Sequence, residues 1–395
     1  MRVLIYSHDS FGLGHLRRCR RIAHALTESR KQLSVLIISG SPIIGSFDFK
    51  SRVDFVRVPG VVKLRSGEYT PLNLHVDIED TLKLRASIIR HTAEAFAPDL
   101  FIVDKEPLGL GGEADDTLRM LKARGTTLAL GLRDVMDDPE TLATEWARKG
   151  VGPALAELYD SIWIYGVERL FDPLHGVGAP ERARRKSIFT GYLKTVAPQS
   201  WKVPPAPPTD RPYLLITPGG GGDGEAMVDA AITAYETRRD LPLEPVFLFG
   251  PFMPPESRDA FSRRIDALGW GVSMDFHPAP EYLMACSAGM FSMCGYNTFC
   301  DILSFDRPAV LAPRETPRRE QHIRATRAEA LGLMRVVEEA QLADVDRLAD
   351  HFAAIVDQPP PSRALPAGWM DGLDRVCDLT FAFAGEDAPL AALRV

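Results

Sequence analysis

The sequence predicts an α/β protein of two domains that face each other across a cleft, each domain a parallel sheet covered by helices. Three observations support this fold class. The chain has 395 residues, which exceeds one ordinary core and suits two. Short apolar runs alternate with longer helical patterns, and this alternation occurs twice along the chain. A proline-rich stretch, 198–212, separates the two series and is typical of an interdomain linker.

The first domain is predicted to span 1–197. Its predicted strands are 2–7, 33–39, 53–58, 100–103, 127–131 and 161–165. Its predicted helices are 15–28, 78–96 and 113–124. Because apolar runs alternate with helical patterns, the strands are expected to pair in parallel and to be covered by helices on both faces.

The second domain is predicted to span 213–358 and repeats this organisation without repeating the sequence. Its predicted strands are 213–217, 245–249, 271–276, 288–292 and 308–312. Its predicted helices are 224–237, 256–268, 280–286, 295–304 and 318–331. A proline-rich turn at 359–361 precedes a last helical pattern at about 370–384. We expect this terminal segment, 359–395, to return to the first domain and to pack on it.

Charge and cysteine usage exclude several classes of protein. The formal net charge is −7, so nucleic acid and anionic lipid receive no overall electrostatic attraction. The five cysteines include no CxxC pair, which favours reduced thiols in a cytoplasm over disulfides or a zinc site. No apolar run is long enough to span a bilayer. The arginines of the first helix form either a solvated face or a contact with an anionic acceptor or with the inner membrane face; they are Arg17, Arg18, Arg20 and Arg21.

The first glycine-rich turn reads GLGHLR at 12–17 and follows the first strand. In an open parallel sheet, ligands bind at the carboxyl ends of the strands, where backbone N–H groups favour anions. A dinucleotide-binding turn requires a third small residue where Arg17 stands, and an acid after the second strand, where 39–41 read SGS. An NAD-dependent enzyme is therefore not expected.

The second glycine-rich turn reads PGGGGDGE at 218–225 and follows the first strand of the second domain. A phosphate-binding loop of an NTPase carries Lys and then Ser or Thr after its last glycine, but Glu225 and Ala226 stand there. Four successive glycines cost backbone entropy on ordering, which is offset if the backbone approaches a ligand such as a diphosphate. A flexible turn without a ligand is the alternative.

A third segment, CGYNTFCD at 294–301, is predicted to begin a helix just after a strand. Gly295 would open that helix, which is another position suited to a phosphate. Asn297 and Asp301 are four residues apart and share one face. An acid one turn into the helix is suited to ribose hydroxyls, and a solvated helix face is the alternative.

Four short segments resemble family 28 glycosyltransferases of the GT-B fold, in which two Rossmann-like domains face each other. The segments are GLGH at 12–15, the loop at 219–224, CGYNTFCD at 294–301, and Pro313 followed by EQHIRA at 320–325. That family includes the UDP-N-acetylglucosamine transferase that completes lipid II. The first loop has fewer glycines than that enzyme, so the same acceptor is not implied. The longer motif GLGHLRRC at 12–19 is similar to the UDP-sugar hydrolase of pseudaminic acid synthesis, which has the same fold.

The resemblance implies a site in the second domain for a nucleoside-diphosphate sugar, with UDP as the expected nucleotide. Asp301 would bind the ribose hydroxyls, where the family has an acid. The backbone around Phe276 and His277 would contact the nucleobase. Glu320 and Gln321 would bind the sugar. The residues implied to lie at the diphosphate are Gly219, Gly220, Gly221, Gly222, Gly295, Asn297 and Thr298.

The resemblance also implies that His15 lies at the cleft, in the first glycine-rich turn. Sugar transfer requires a base that deprotonates the acceptor as it attacks the anomeric carbon, and histidine serves near neutral pH. Asp104 and Glu106 follow the strand 100–103, so either could orient the base or bind the acceptor. A histidine that caps or packs at a helix start is the alternative for His15. The acceptor-side positions are Gly12, Gly14 and Arg17.

The expected function is transfer of a sugar from a nucleotide sugar to a hydroxyl acceptor with inversion, by a hexosyltransferase-type enzyme. No metal is expected, because backbone N–H groups and helix N-termini stabilise a leaving diphosphate. The expected partners are the donor and a small-molecule or lipid-linked acceptor, and not nucleic acid. Two other functions stay open. They are a nucleotide-sugar hydrolase, favoured by GLGHLRRC, and a non-catalytic nucleotide-sugar binder.

Overall fold

The computed structural model describes residues 1–8, 14–63, 69–196, 207–277 and 279–383. Contacts divide the chain into two compact units. The first comprises Met1–Leu193 and the segment from Asp371 onward, and the second comprises Lys194–Met370. Each unit contains a parallel sheet with helices, so the predicted α/β class with two sheet domains is confirmed.

The first unit is a seven-stranded parallel sheet with helices and one short hairpin. Its described strands are β1 (Arg2–Ser7), β2 (Ser34–Ser39), β3 (Val53–Arg57), β4 (Val61–Lys63), β5 (Tyr69–Pro71), β6 (Leu100–Asp104), β7 (Thr127–Arg133), β8 (Ser161–Tyr165) and β9 (Ser187–Phe189). Its helices before residue 193 are α1 (Gly14–Ser29), α2 (Ile78–Phe96), α3 (Asp115–Ala123), α4 (Pro139–Arg148), α5 (Val151–Glu157) and α6 (Glu181–Arg184). The sheet order is β3-β2-β1-β6-β7-β8-β9, and β4 and β5 form the antiparallel hairpin.

The centre of this sheet is buried on both faces, as is typical of a parallel sheet covered by helices. Every residue of β6 and of β8 is buried. Ser7 at the end of β1 pairs with Asp104 at the end of β6, so the carboxyl ends of these two strands are adjacent. The apolar face of α1 is formed by residues at helical spacing, namely Leu16, Cys19, Ile22, Ala23 and Leu26.

The second unit is a six-stranded parallel sheet with helices. Its described strands are β10 (Tyr213–Thr217), β11 (Glu244–Leu248), β12 (Val272–Met274), β13 (Gly289–Ser292), β14 (Ala309–Leu311) and β15 (Arg335–Val336). Its helices are α7 (Glu225–Thr237), α8 (Pro255–Leu268), α9 (Pro280–Cys286), α10 (Tyr296–Phe305), α11 (Glu320–Ala330) and α12 (Val345–Ala354). The sheet order is β12-β11-β10-β13-β14-β15, with β10 and β13 buried along their whole length.

The last helix of the described chain, α13 (Gly372–Phe383), belongs to the first unit and packs on α1. The hydroxyl of Ser29 donates to Sγ of Cys377 at 3.3 Å, and the guanidinium of Arg30 lies 4.1 Å from the ring centre of Phe381. Gly372 at its start is required by close approach, because a Cβ atom there would lie 2.5 Å from the carbonyl oxygen of Gly191. The last described helix therefore returns to the first unit.

The second unit extends further along the chain than the predicted 213–358, because short segments on both sides pack on it. The backbone N–H of Thr195 donates to Oγ of Ser304 at 2.8 Å. The backbone N–H of Ser362 donates to Oδ1 of Asp306 at 2.8 Å. Of the predicted linker 198–212, residues 198–206 lie outside the described residues.

Several short elements were not predicted from the sequence, among them α4, α5, α12, β9 and the β4–β5 hairpin. The hairpin strands, β9 and α5 span few residues, so their apolar periodicity is too brief to separate them from loops. Helices α4 and α12 have ten residues each, as α10 does, so length does not explain why they were missed. The start of α4 carries a local signal nonetheless, since Oδ1 of Asp138 accepts a hydrogen bond from the backbone N–H of Thr141 at 3.0 Å. Among the described residues, no helix combines the length and apolar character needed to cross a membrane.

Candidate active site

The first candidate site lies where β1 and β6 end. His8 follows β1, Asp104 is the last residue of β6, and His15 is the second residue of α1. Because β1 and β6 are neighbours in the sheet, these three side chains come together although Asp104 is 89 positions from His15. Gly12 and the rest of 9–13 lie outside the described residues.

His15 and Asp104 form a close pair. Nδ1 of His15 lies 2.6 Å from Oδ2 of Asp104. The Asp104 side chain is 1% exposed and that of His15 is 18% exposed. A carboxylate with a depressed pKa only accepts hydrogen bonds, so the proton belongs on Nδ1 and Nε2 is left with its lone pair.

Arg18, one helical turn after His15, completes this cluster. Its Nε donates to Oδ1 of Asp104 at 2.7 Å, and a terminal nitrogen donates to Oδ2 at 2.5 Å. The same terminal nitrogen lies 3.0 Å from Nδ1 of His15. Arg18 is 2% exposed, so its charge is held inside the protein against the carboxylate. Sequence analysis singled out Arg17 instead, which is the half-buried neighbour of Arg18 on α1.

The cluster has perturbed acid–base properties. Burial lowers the pKa of His15 to about 4, although Asp104 acts in the opposite direction. Burial by itself raises the pKa of Asp104, but Arg18 and His15 outweigh it and keep that pKa well below its usual value. At neutral pH the cluster therefore holds a neutral imidazole beside an ionised carboxylate.

Glu106 belongs to a separate group of charges. Its Oε2 accepts a hydrogen bond from Nζ of Lys149 at 3.0 Å, and Nζ of Lys105 lies 3.3 Å from its Oε1. Burial raises the pKa of Glu106, but Lys105, His8 and Lys149 together lower it well below its usual value. The ion pairs among the described residues thus join Glu106 to lysines, whereas Asp104 is the carboxylate that meets His15.

A buried network beneath His8 was missed by sequence reasoning. Tyr6 donates to Oε1 of Glu113 at 2.6 Å, and Arg85 donates to the Tyr6 hydroxyl at 2.9 Å. Arg85 also donates to the carbonyl oxygens of His8, at 3.0 Å, and of Pro59, at 2.7 Å. The network fixes the backbone that leaves β1. Its members lie on distant parts of the chain, so no local motif indicates them.

The second candidate site is the glycine-rich loop between β10 and α7. Gly219 and Gly221 have φ values of 82° and 91°, which favour glycine. A Cβ atom on Gly221 would lie 2.5 Å from the carbonyl oxygen of Phe249. Packing against this neighbouring backbone therefore requires glycine at position 221, whether or not a ligand binds the loop. A Cβ atom on Gly219 would lie 3.3 Å from Oγ1 of Thr298, which places this loop beside the first turn of α10. Gly220 and Gly222 are more exposed than Gly221.

The N-terminal part of α10 is buried rather than solvated. Asn297 is 8% exposed, Thr298 is 7% exposed and Asp301 is fully buried. The hydroxyl of Thr195 donates a hydrogen bond to Oδ1 of Asp301. The alternative of a solvated helix face is therefore wrong. Asp301 thus already has a protein partner in Thr195.

Glu320 and Gln321 open α11, and Gln321 contacts the backbone just before α10, whereas Glu320 is joined to the glycine-rich loop through Arg314. Oε1 of Gln321 accepts a hydrogen bond from the backbone N–H of Cys294 at 3.1 Å. Oε1 of Glu320 accepts one from Arg314 at 2.7 Å, and Arg314 also donates to Oδ2 of Asp223 at 2.5 Å. Arg314 thus links α11 to the glycine-rich loop, a role that its sequence context did not indicate.

The residues expected to contact the nucleobase of the donor follow β12. Phe276 is 59% exposed, which is unusual for a large apolar side chain. Nδ1 of His277 accepts a hydrogen bond from the backbone N–H of Ala279 at 3.0 Å, and Pro278 lies outside the described residues. Within the described ranges, no group of three or more His, Cys, Asp or Glu side chains is arranged to hold a metal ion.

Comparison with known proteins identifies the architecture. No family model and no curated protein sequence matches the chain. The calicheamicin glycosyltransferase CalG4 is 18% identical, with a TM-score of 0.55 and coverage of 98% of this chain and 100% of that chain. The spinosyn forosaminyltransferase SpnP is 16% identical, with a TM-score of 0.62 and coverage of 97% and 99%. A putative UDP-N-acetylglucosamine 2-epimerase from Listeria monocytogenes is 12% identical, with a TM-score of 0.59 and coverage of 98% of each chain. The chain has the GT-B fold.

In this GT-B protein, both candidate sites lie at the carboxyl ends of parallel strands, where ligands bind in open α/β sheets. Identities of 18% and below show likeness of fold, so membership of family 28 stays a prediction. The neighbours include two glycosyltransferases and a putative epimerase, so the fold does not decide the reaction. The chemistry follows from the residues.

Proposed function

We propose that this protein is a glycosyltransferase that moves a hexose from a nucleoside-diphosphate sugar, expected to be a UDP-sugar, to an acceptor hydroxyl with inversion. One observation carries the proposal. It is the pairing of His15 with Asp104 at 2.6 Å, at the end of the first sheet where β1 and β6 terminate. A neutral imidazole whose Nδ1 is fixed by a carboxylate is the arrangement of a general base.

The reaction forms one bond and breaks one at the anomeric carbon. Nε2 of His15 takes the proton of the acceptor hydroxyl while the acceptor oxygen attacks. The nucleoside diphosphate leaves with the bonding electron pair. Asp104 stabilises the imidazolium that forms, as the carboxylate does in a Ser-His-Asp triad. Because attack and departure occur on opposite faces, a single displacement inverts the anomeric configuration.

The second unit supports the donor half of the proposal. The glycine-rich loop lies beside Thr298 in the first turn of α10. Backbone N–H groups of such a loop and of a helix N-terminus stabilise diphosphate charge, so we propose that no metal is required. We assign the diphosphate of the donor to 219–222 and 295–298. We assign the nucleobase of the donor to the neighbourhood of Phe276 and His277. Glu320 and Gln321 are assigned to the sugar.

Hydrolysis of the nucleotide sugar is the second candidate. The motif GLGHLRRC, which is similar to a UDP-sugar hydrolase, contains both His15 and Arg18. These two side chains converge on Asp104, so this motif supplies the proposed base and a second partner of its carboxylate. Water in place of the acceptor hydroxyl would use the same base and release free sugar.

A donor screen followed by product analysis tests the proposal. Nucleoside diphosphates and nucleotide sugars are first ranked by thermal shift, and the best donor is then incubated with and without a panel of hydroxyl acceptors. A transferase forms an acceptor-dependent glycoside of inverted configuration and releases sugar slowly when no acceptor is present. Rapid release of free sugar without acceptor assigns the hydrolase. Absence of both reactions with a donor that binds tightly contradicts both proposals and leaves a nucleotide-sugar binder.

A further inference from the structure

Arg18 is a buried cation in the candidate active site that the proposed reaction does not use. It lies one helical turn after His15, so both side chains point from the same face of α1 toward the end of β6. A buried guanidinium is costly unless a charged partner compensates it. Its partner here is the same carboxylate that fixes the proposed base.

We propose that Arg18 is a positioning residue that locks the Asp104 carboxylate and keeps His15 uncharged in the resting protein. The inference rests on the proposed function for its catalytic meaning, because it concerns the base of that reaction. It makes a separate physical claim about the acid–base state of His15, which is measurable without turnover.

The first step of the inference concerns geometry. Nε and one terminal nitrogen of Arg18 each donate to a different oxygen of Asp104, at 2.7 and 2.5 Å. A two-point contact of this kind fixes the plane of the carboxylate. Oδ2 accepts from both Arg18 and Nδ1 of His15. Arg18 therefore determines where the acceptor atom for Nδ1–H lies, and through it the tautomer of His15.

The second step concerns charge. With His15 neutral, the charges of Arg18 and Asp104 cancel, and protonation of His15 would leave one uncompensated positive charge in a buried cluster. The guanidinium nitrogen lies 3.0 Å from Nδ1 of His15, where an imidazolium would be repelled. In a Ser-His-Asp triad the carboxylate has no such cation and favours the imidazolium. Arg18 offsets that preference.

The other charged groups around His15 do not replace this effect. Lys105, which follows β6, also lowers the pKa of His15, but it forms an ion pair with Glu106. The ring of His8, which follows β1, lies 4.2 Å from the ring of His15, centre to centre. Asp104 on β6 is the anion that raises the pKa of His15, and Arg18 on α1 is the cation bonded to it.

Titration of His15 by nuclear magnetic resonance tests the inference. The imidazoles of the nine histidines are labelled, and the signal of His15 is assigned by its disappearance in His15→Gln. In the wild type we expect a midpoint well below 6.5, near 4. In Arg18→Gln we expect the midpoint to rise by about one unit or more, because the cation is removed while Asp104 remains. In Arg18→Lys we expect it to stay low, because the charge is kept while the two-point contact is lost.

Arg20→Gln is the matched control. It removes an equal charge from the same helix, but the Arg20 guanidinium lies over the ring of Phe47, 5.0 Å from its centre. We expect it to leave the His15 midpoint unchanged. A wild-type midpoint near 6.5 overturns the inference without any variant, which covers the case in which Arg18→Gln fails to fold. An unchanged midpoint in folded Arg18→Gln also overturns it.

Kinetics separate this inference from the proposed function. If His15 is the base, the acid limb of the kcat/KM profile should move to higher pH in Arg18→Gln, following the titration. In Arg18→Lys, kcat should fall while the position of the acid limb is retained. A shifted titration with turnover that does not depend on His15 supports the role of Arg18 and contradicts the function. Turnover that depends on His15, with a His15 titration that does not respond to Arg18→Gln, supports the proposed function and overturns the role of Arg18.

Discussion

Oδ2 of Asp104 lies 2.6 Å from Nδ1 of His15, and the two residues are 89 positions apart in the chain. His15 lies at the start of α1, the helix that follows β1 in the chain; Asp104 ends β6, and β1 pairs directly with β6. The pair is therefore a product of strand order. It gives the first unit a histidine with one nitrogen committed to a carboxylate and the other available for proton transfer.

Replacing His15 by Gln should abolish most turnover while leaving nucleotide affinity unchanged. Loss of a general base costs about 10²–10⁴-fold in rate. The nucleotide is assigned to the second unit, so calorimetric titration with the nucleoside diphosphate should give the wild-type affinity. His24→Gln is the control, because His24 lies on the same helix and its Nε2 accepts a hydrogen bond from the backbone of Lys50 at 3.3 Å. Equal turnover in the two variants would return His15 to a role at a helix start.

Replacing Asp104 by Asn should reduce both turnover and stability. An amide does not hold the proton on Nδ1, so turnover should fall by about 10²–10⁴-fold. Arg18 would also lose its charged partner inside the protein, which typically costs about 3–5 kcal/mol. Urea unfolding should show this loss in Asp104→Asn and little change in His15→Gln, in which the Arg18 ion pair remains. Equal stability of both variants would mean that the ion pair does not stabilise the first unit.

The stability of the protein should fall as pH is lowered from about 6.5 to about 4, in part because of His15. Burial lowers the folded-state pKa of His15 to about 4, whereas the unfolded value is near 6.5. In this window the unfolded chain binds more protons, so the free energy of unfolding rises with pH, by on the order of 3 kcal/mol in total. The contribution is present above pH 6.5 and is lost as pH falls through the folded-state pKa. Glutamine does not titrate, so the urea midpoint of His15→Gln should lie near that of the wild type above pH 6.5 and should exceed it near pH 4.

Substitutions at Asp301 and Thr195 should show whether the Asp301 carboxylate binds the donor or only stabilises the fold. If Asp301 binds ribose, Asp301→Ala should weaken nucleotide binding by about 1.5–3 kcal/mol for each charged hydrogen bond lost. Thr195→Val removes the hydroxyl that donates to Asp301 but keeps the carboxylate, so nucleotide affinity should be retained or increased. If calorimetry gives unchanged affinity in Asp301→Ala, with reduced thermal stability in both variants, the carboxylate serves the fold of the second unit alone.

Much of the fold was accessible from sequence because its signals are local. The run LFIVD of β6 and the run YLLIT of β10 are apolar over the length of a strand, and each is buried throughout. The glycine-rich loop at 218–224 was placed after a strand and before a helix, where it lies. Shorter elements escaped prediction. The hairpin Val61–Lys63 with Tyr69–Pro71 spans too few residues for a pattern.

The candidate sites could be predicted from the sequence only in part. His15 and Asp104 were both singled out, but the sequence left Asp104 and Glu106 equal, and only the structure separates them. Asp104 meets His15, whereas Glu106 meets Lys149. Arg18 was indistinguishable from the other arginines of α1, since helical spacing does not show which of them faces a buried carboxylate.

By itself, the sequence determined the α/β class, the order of most strands and helices along the chain, and the position of the glycine-rich loop between β10 and α7. These depend on periodicity and backbone preference, which act between residues close in the chain. The tertiary structure decided that Arg18 and His15 share one carboxylate, that Thr195 bonds to Asp301, and that Arg314 joins the glycine-rich loop to α11. Each of these contacts depends on which strands become neighbours and how far each helix is turned on its sheet. The order of the strands in a sheet and the rotation of each helix on it are set by the packing of the whole unit, so they cannot be predicted from a local sequence pattern.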